Sequence, residues 1–504
     1  MTVPSADLPH RLRDALVAAD FTVDTVAGLL GPVAHGALAR NQTAPGLART
    51  TDGSPLATLT RLFLLQAAVP RSAADAALPD LVDRLAVEGV LEAGVGEVRA
   101  RLDCRPYSAP DALGDHDFWV VSDLTPGLDG APNHVTSDHV LGISSASTSL
   151  AQLTIREDVA SALDLGTGCG VQALHLATHA GRVVATDVNP RALRVARLNA
   201  ALNGLDQVEV RDGSYFEPVR GEQFDLIATN PPFVISPGNR ERLVYRDSGL
   251  PGDRVVEDIV RTAPRHLVEG GWCQVLANWV IAKGQPWDER LAGWLGAGPD
   301  GPECDALVVQ REVLDPAAYV ELWLADEGAV GTPDYLRRYD TWLSWFEEQG
   351  IEGVGFGWIN LRRRVAGEAG PVRHRLEEWP YDIEQPIASA IAAWGDAVDE
   401  LRRTDDDALL GRRLLLAEGV VQETVGAPGA EDPEAIVLRQ QRGFRRGHAA
   451  DTVTAAIVGA CDGELALGVI VDAVAQLLEQ DAADLRATYL PVVRQLVEDG
   501  FLTL

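Results

Sequence analysis

Cysteine is scarce in this chain, and the five that occur, Cys104, Cys169, Cys273, Cys304 and Cys461, stand singly. None is paired at metal-ligand spacing, which argues against a disulfide frame or a zinc site and points to a reducing compartment, with no metal expected. Long apolar runs are missing too. The opening "MTVPSADLPHRLRDAL" lacks the apolar core of an export signal, and no stretch approaches membrane-spanning length. The chain therefore reads as cytoplasmic, with no membrane partner. Positive charge is in short supply: 43 Lys and Arg face 74 Asp and Glu, a net charge of -31. Such a balance repels nucleic acid at long range, so an RNA substrate is disfavoured, though not excluded.

What is present is an ordinary globular composition, 46% apolar and 23% charged, over 504 residues. That length is too great for one core and suggests roughly two to four domains. The most informative stretch begins "ALDLGTGCGVQALHLA". An apolar run ends in Asp164, a turn carries Gly166, Thr167, Gly168 and Gly170, and a helical pattern starts near Val171. Glycines remove side chains where backbone must approach a ligand. The next apolar run, "RVVATDVNP", ends at Asp187, about 20 residues past the loop, where an acid can accept hydrogen bonds from two ribose hydroxyls. Up to this point a hydride-transfer cofactor fits equally well. Two further runs end in Asp212, Gly213 and Ser214 and in Asn230, Pro231, Pro232 and Phe233. Four strand ends then line one crevice.

The D-x-G-x-G-x-G loop, the acid in "TDVNP", the "RVARLNAALNGL" helix, the Asp212 turn and the NPPF tetrad resemble the class I S-adenosylmethionine-dependent methyltransferases. Within them they resemble the small-domain branch that includes release-factor glutamine N5-methyltransferases and ribosomal RNA guanine-N2 methyltransferases. The likeness covers about residues 163 to 272. In the glutamine-modifying enzymes the tetrad ends in Tyr, where this chain has Phe233. The resemblance implies an α/β fold: a Rossmann-like sheet of seven strands ending in an antiparallel hairpin. It implies S-adenosyl-L-methionine as cofactor and S-adenosyl-L-homocysteine as product.

On that reading Asp164, Gly166, Thr167, Gly168 and Gly170 cradle the amino-acid end of the cofactor, and Asp187, Val188 and Asn189 take the ribose side. Asp212, Gly213 and Ser214 take the adenine, Thr148 belongs to a lid before the loop, and Asn230 serves both cofactor and acceptor. An amide or exocyclic amine is a poor nucleophile because its lone pair is delocalised. The Asn230 side-chain oxygen and the Pro231 carbonyl can each accept one of its N–H groups and so aim that lone pair. Pro231 and Pro232 stiffen the loop, and Phe233 offers a flat face for stacking.

The expected domains are residues 1–110, 111–365 with a core at 150–285, and 366–504. The first and last are expected to be helical and winged-helix-like, since "LPDLVDRLAVEGVLE" and "LPVVRQLVEDGFLTL" share one cadence. Neither has a basic recognition helix, so packing or dimerisation suits them better than reading nucleic acid. The segment "EAGPVRHRLEEWPYD" reads as an exposed connector, and the basic run 439–448 as a solvated face. Arg240, Arg242 and Arg246 are the candidate substrate-charge contacts nearest the tetrad. A protein or peptide acceptor ranks above RNA. O-methylation of a peptide carboxylate and a cofactor-binding scaffold remain open, and the oligomeric state is not legible.

Overall fold

The apolar run ahead of Asp164 is a strand at the centre of a mixed sheet. The computed structural model describes residues 7–108, 116–131, 135–237, 252–295, 301–368, 370–427 and 434–504. Numbering the strands of the central sheet only, they are β1 (Val159–Leu165), β2 (Ala180–Asp187), β3 (Val208–Asp212), β4 (Phe224–Thr229), β5 (Leu267–Ala282), β6 (Cys304–Leu314), β7 (Ile351–Arg363) and β8 (His374–Glu378). They lie in the order β3-β2-β1-β4-β5-β7-β6-β8. β7 runs antiparallel to both its neighbours, β5 and β6, and the remaining pairings in this sheet are parallel. The strand order reverses between β1 and β4, which opens a crevice at their C-terminal ends. Helices cover both faces, so β1, β2 and β4 are buried on two sides and read as continuous apolar runs.

The helices that matter below are α1 (Ser145–Leu153), α2 (Val171–Leu176), α3 (Pro190–Leu202), α4 (Arg254–Thr262), α5 (Pro316–Asp326), α6 (Tyr335–Glu348) and α7 (Ala388–Arg403). β5 and β7 overrun the parallel strands, and α5 and α6 pack on the overhang around Tyr319, Trp342 and Phe346. Trp342 is part of the core there.

The sheet has eight strands rather than the expected seven. β8 lies past the expected boundary at residue 365, inside the segment read as a connector, and pairs with β6 from Ala306–His374 to Gln310–Glu378. Without it the fully buried Ala306, Leu307, Val308 and Val309 would form an open apolar edge.

The flanking regions dock on this layer. On the N-terminal side, helices surround a three-stranded sheet made of Val69–Pro70, Glu97–Ala100 and Leu91–Ala93. Its core takes in Leu202 of α3. The α3 residue Asn199 and the neighbouring Asn203 also accept hydrogen bonds from the backbone N–H groups of Val121 and Trp119, at 2.8 and 2.9 Å. On the C-terminal side, Ile391, Trp394 and Val398 of α7, with the preceding Ile387, share a core with Trp272, Leu307 and Trp358. The basic run is largely neutralised, with Arg439 on Glu423 at 2.8 Å and Arg446 on Glu377. No single described helix is long and apolar enough to cross a membrane.

Candidate active site

Register brings the predicted strand ends into one row. Leu165 stands opposite Thr186 on one side and Thr229 on the other, and Asp187 stands opposite Asp212. A cavity of about 340 Å³ opens above them. Its wall includes residues 164–169, 186–189, 213–215 and 230–232, together with 139–142, Ser144 and Ser147.

The glycine turn is built as its residue types require. Gly166 and Gly168 have φ of 79° and 56°, and a Cβ at either would meet nothing within 4 Å, so both border open space. Gly170 serves packing instead: a Cβ there would sit 3.3 Å from Ala196 of α3. Asp187 faces the turn, its Oδ2 accepting from the Gly168 N–H at 2.9 Å and its Oδ1 from the Asn189 N–H at 2.8 Å. A carboxylate carries about four acceptor sites, so it keeps capacity for a diol. Burial pushes the Asp187 carboxyl above its ordinary range, against the pull of these backbone N–H groups.

Asp164 is fully enclosed. It accepts from the Thr167 hydroxyl at 2.5 Å and the Ala173 N–H at 2.9 Å, tying the turn to α2, and burial raises its pKa to about 7. Thr167 is thus occupied in holding the turn. Val188 is half-exposed and offers an apolar wall beside Asp187. Asn189 caps α3 through the Arg191 N–H and donates to the Asp138 carbonyl, each at 2.9 Å.

Asn230 presents the most telling atom in the site. Its Oδ1 is closed to water and has no hydrogen-bond partner among the described residues. An unpaired buried acceptor costs about 1–3 kcal/mol, which a fold rarely leaves uncompensated. Pro231 and Pro232 line the wall beside it. Phe233 does not. It lies edge-on to Trp323 with ring centroids 6.4 Å apart, because the chain turns there to bury Val234 and Ile235 under α5.

Two expected residues stand apart. Thr148 sits in the first turn of α1, and its hydroxyl returns to the Ser144 carbonyl at 3.1 Å. Ser144 and Ser147 face the cavity in its place. Asp212 is exposed and outside the lining, while Gly213 and Ser214 after it are inside. Arg240, Arg242 and Arg246 lie outside the described residues.

The sequence reading missed the strap of residues 139–142. Asp123 holds it, donating its N–H to the Val140 carbonyl at 3.1 Å and accepting the Val140 N–H on Oδ2 at 2.8 Å; Arg191 of α3 pairs with the same carboxylate. "HVLGIS" carries no motif that announces this. Gln172 was also missed, hidden among the apolar residues of α2.

The charged side chains in the described lining are the acids Asp164 and Asp187, with no Arg or Lys. A pyrophosphate gains nothing from such a wall, whereas a ligand carrying a sulfonium and an ammonium does. The strand order, glycine turn and β2 acid are the arrangement expected of a class I methyltransferase domain. A family model described as the methyltransferase small domain matches residues 142–292. Two further models, each described as a domain of unknown function, match residues 18–101 and 392–504.

The release factor glutamine methyltransferase of Xylella fastidiosa is 31% identical over 183 residues, covering 33% of this chain and 62% of that protein. The ribosomal protein uL3 glutamine methyltransferase of Bradyrhizobium diazoefficiens is 38% identical over 120 residues, covering 22% and 38%. The chain thus spans less than two thirds of the length of these relatives. Among solved structures, the YcgJ protein of a Bacillus aligns over 44% of this chain and 99% of its own at 15% identity and a TM-score of 0.29, a likeness too loose to carry weight.

Proposed function

We propose that this chain transfers the methyl group of S-adenosylmethionine to a planar nitrogen, a side-chain amide or exocyclic amine, on a protein or peptide in the cytoplasm. The observation that carries this reading is that Asn230, whose Oδ1 has no partner among the described residues, lines the same cavity as the glycine turn and Asp187. When bound, the cofactor supplies an electrophilic methyl on a sulfonium. Asp187 holds the ribose diol, the open faces of Gly166 and Gly168 admit the chain beyond it, and Val188 flanks the base. Asn230 accepts one N–H of the acceptor nitrogen, turning its lone pair out of conjugation and toward the methyl. No strong base is required, because the nitrogen becomes acidic only once methylated. An acidic molecule favours a protein acceptor over RNA, and the two relatives are named for glutamine side chains on proteins.

Asn230→Ala tests the assignment. Transfer is expected to fall by about 100-fold or more, while affinity for S-adenosylhomocysteine stays within about twofold. The melting temperature is expected at or above that of the wild type, since the variant removes a buried acceptor with no partner among the described residues. Retained turnover, or lost cofactor affinity, contradicts the role given to Asn230.

A further inference from the structure

We propose that Gln172 is a further binding residue of this site, its Oε1 accepting a hydrogen bond from the cationic amine at the amino-acid end of the cofactor. The inference rests on the functional reading above. Gln172 is 5% exposed, stands in the first turn of α2 and lines the cavity. Its Nε2 donates to the Ser147 carbonyl at 2.6 Å. That bond decides which way the amide faces, since turning it over would press Oε1 against a carbonyl oxygen, acceptor on acceptor. Oε1 is thereby committed to accepting. It is closed to water and has no partner among the described residues.

Its helical neighbours Val171, Ala173, Leu174 and Leu176 are buried and apolar, so a leucine would fill the position without the penalty of an unpaired oxygen. The Ala173 N–H, one residue on, donates to Asp164. Gln172 and the residue that holds the enclosed carboxylate are therefore consecutive in the first turn of the helix, and both Gln172 and Asp164 line the cavity. A donor that serves both needs several N–H groups and a positive charge, which describes a primary ammonium. The diol is accounted for separately, at Asp187 on β2.

Calorimetric titration of the full chain with three ligands tests this: S-adenosylhomocysteine, its decarboxylated form, which keeps the amine, and its deaminated form, which keeps the carboxylate. In Gln172→Leu both amine-bearing ligands are expected to weaken about tenfold and the deaminated one by less than about twofold. Equal weakening of all three, or of none, overturns the proposal. Gln172→Glu keeps an acceptor oxygen while losing the donor to Ser147, so it is expected to retain the wild-type preference for amine-bearing ligands. If it loses that preference as fully as the leucine variant, Gln172 is only a latch on Ser147 and the proposal is wrong. Wild-type protein that binds none of the three would instead sink the functional reading itself.

Discussion

Asp187 holds two backbone N–H groups and, on our reading, a ribose diol, so its removal strikes both the turn and the ligand. Asp187→Ala is expected to weaken S-adenosylhomocysteine binding by at least about tenfold in calorimetry; undiminished affinity would remove the residue from the site. Asp164 makes a different prediction. Its folded pKa of about 7 lies above the ordinary carboxyl value near 4, so the protonated form is favoured in the fold. That stabilisation is complete below about pH 4 and is lost as pH rises through about 7. A ligand ammonium draws the carboxyl back to its ionised form, so binding releases a proton below pH 7. Affinity should therefore fall about tenfold from pH 8 to pH 6, and Asp164→Asn should flatten that profile. A flat profile in the wild type would place the ammonium elsewhere. Legibility at this scale follows geometry. Gly166, Gly168, Asp187 and Asn230 were readable because backbone at a strand end leaves few choices of residue. The Thr148 hydroxyl is instead turned back along α1 to the Ser144 carbonyl, and Gln172 escaped because polar residues inside a short, buried apolar helix do not mark themselves.

Among elements, the parallel strands and their order followed from apolar runs ending in acids and turns, whereas β8 did not. It is short, half-buried and rich in charge, HRLEE, and it is a strand because β6 needs an edge rather than because of its own pattern. The strap at 139–142 escaped for a related reason, being held by the carboxylate of a residue sixteen or more positions away. Ile387, Ile391, Trp394 and Val398 complete the core on the same side of the sheet. Burying each stabilises by roughly 2 kcal/mol, against a total stability of about 5–15 kcal/mol for a typical fold. A chain ending at Val365 is therefore expected to show no cooperative melt and to bind a hydrophobic dye. A sharp transition with wild-type cofactor affinity would show β8 and α7 to be dispensable.

For the molecule as a whole, the flanking regions are joined to the central sheet layer through shared cores, at Leu202 on one side and Trp394 on the other. The net charge of -31 surrounds a cavity whose described charged side chains are acids, a setting that suits a cationic cofactor and disfavours an RNA acceptor. The acceptor class is thus where chemistry and charge make a joint prediction. Its most direct test is incubation of the pure protein with cofactor labelled on the methyl, in a lysate of cells lacking the protein, followed by separation of protein, RNA and small molecules. The account predicts label in the protein fraction, stable to mild base and absent with Asn230→Ala; label in RNA, or label on protein released by base as an ester, would contradict it.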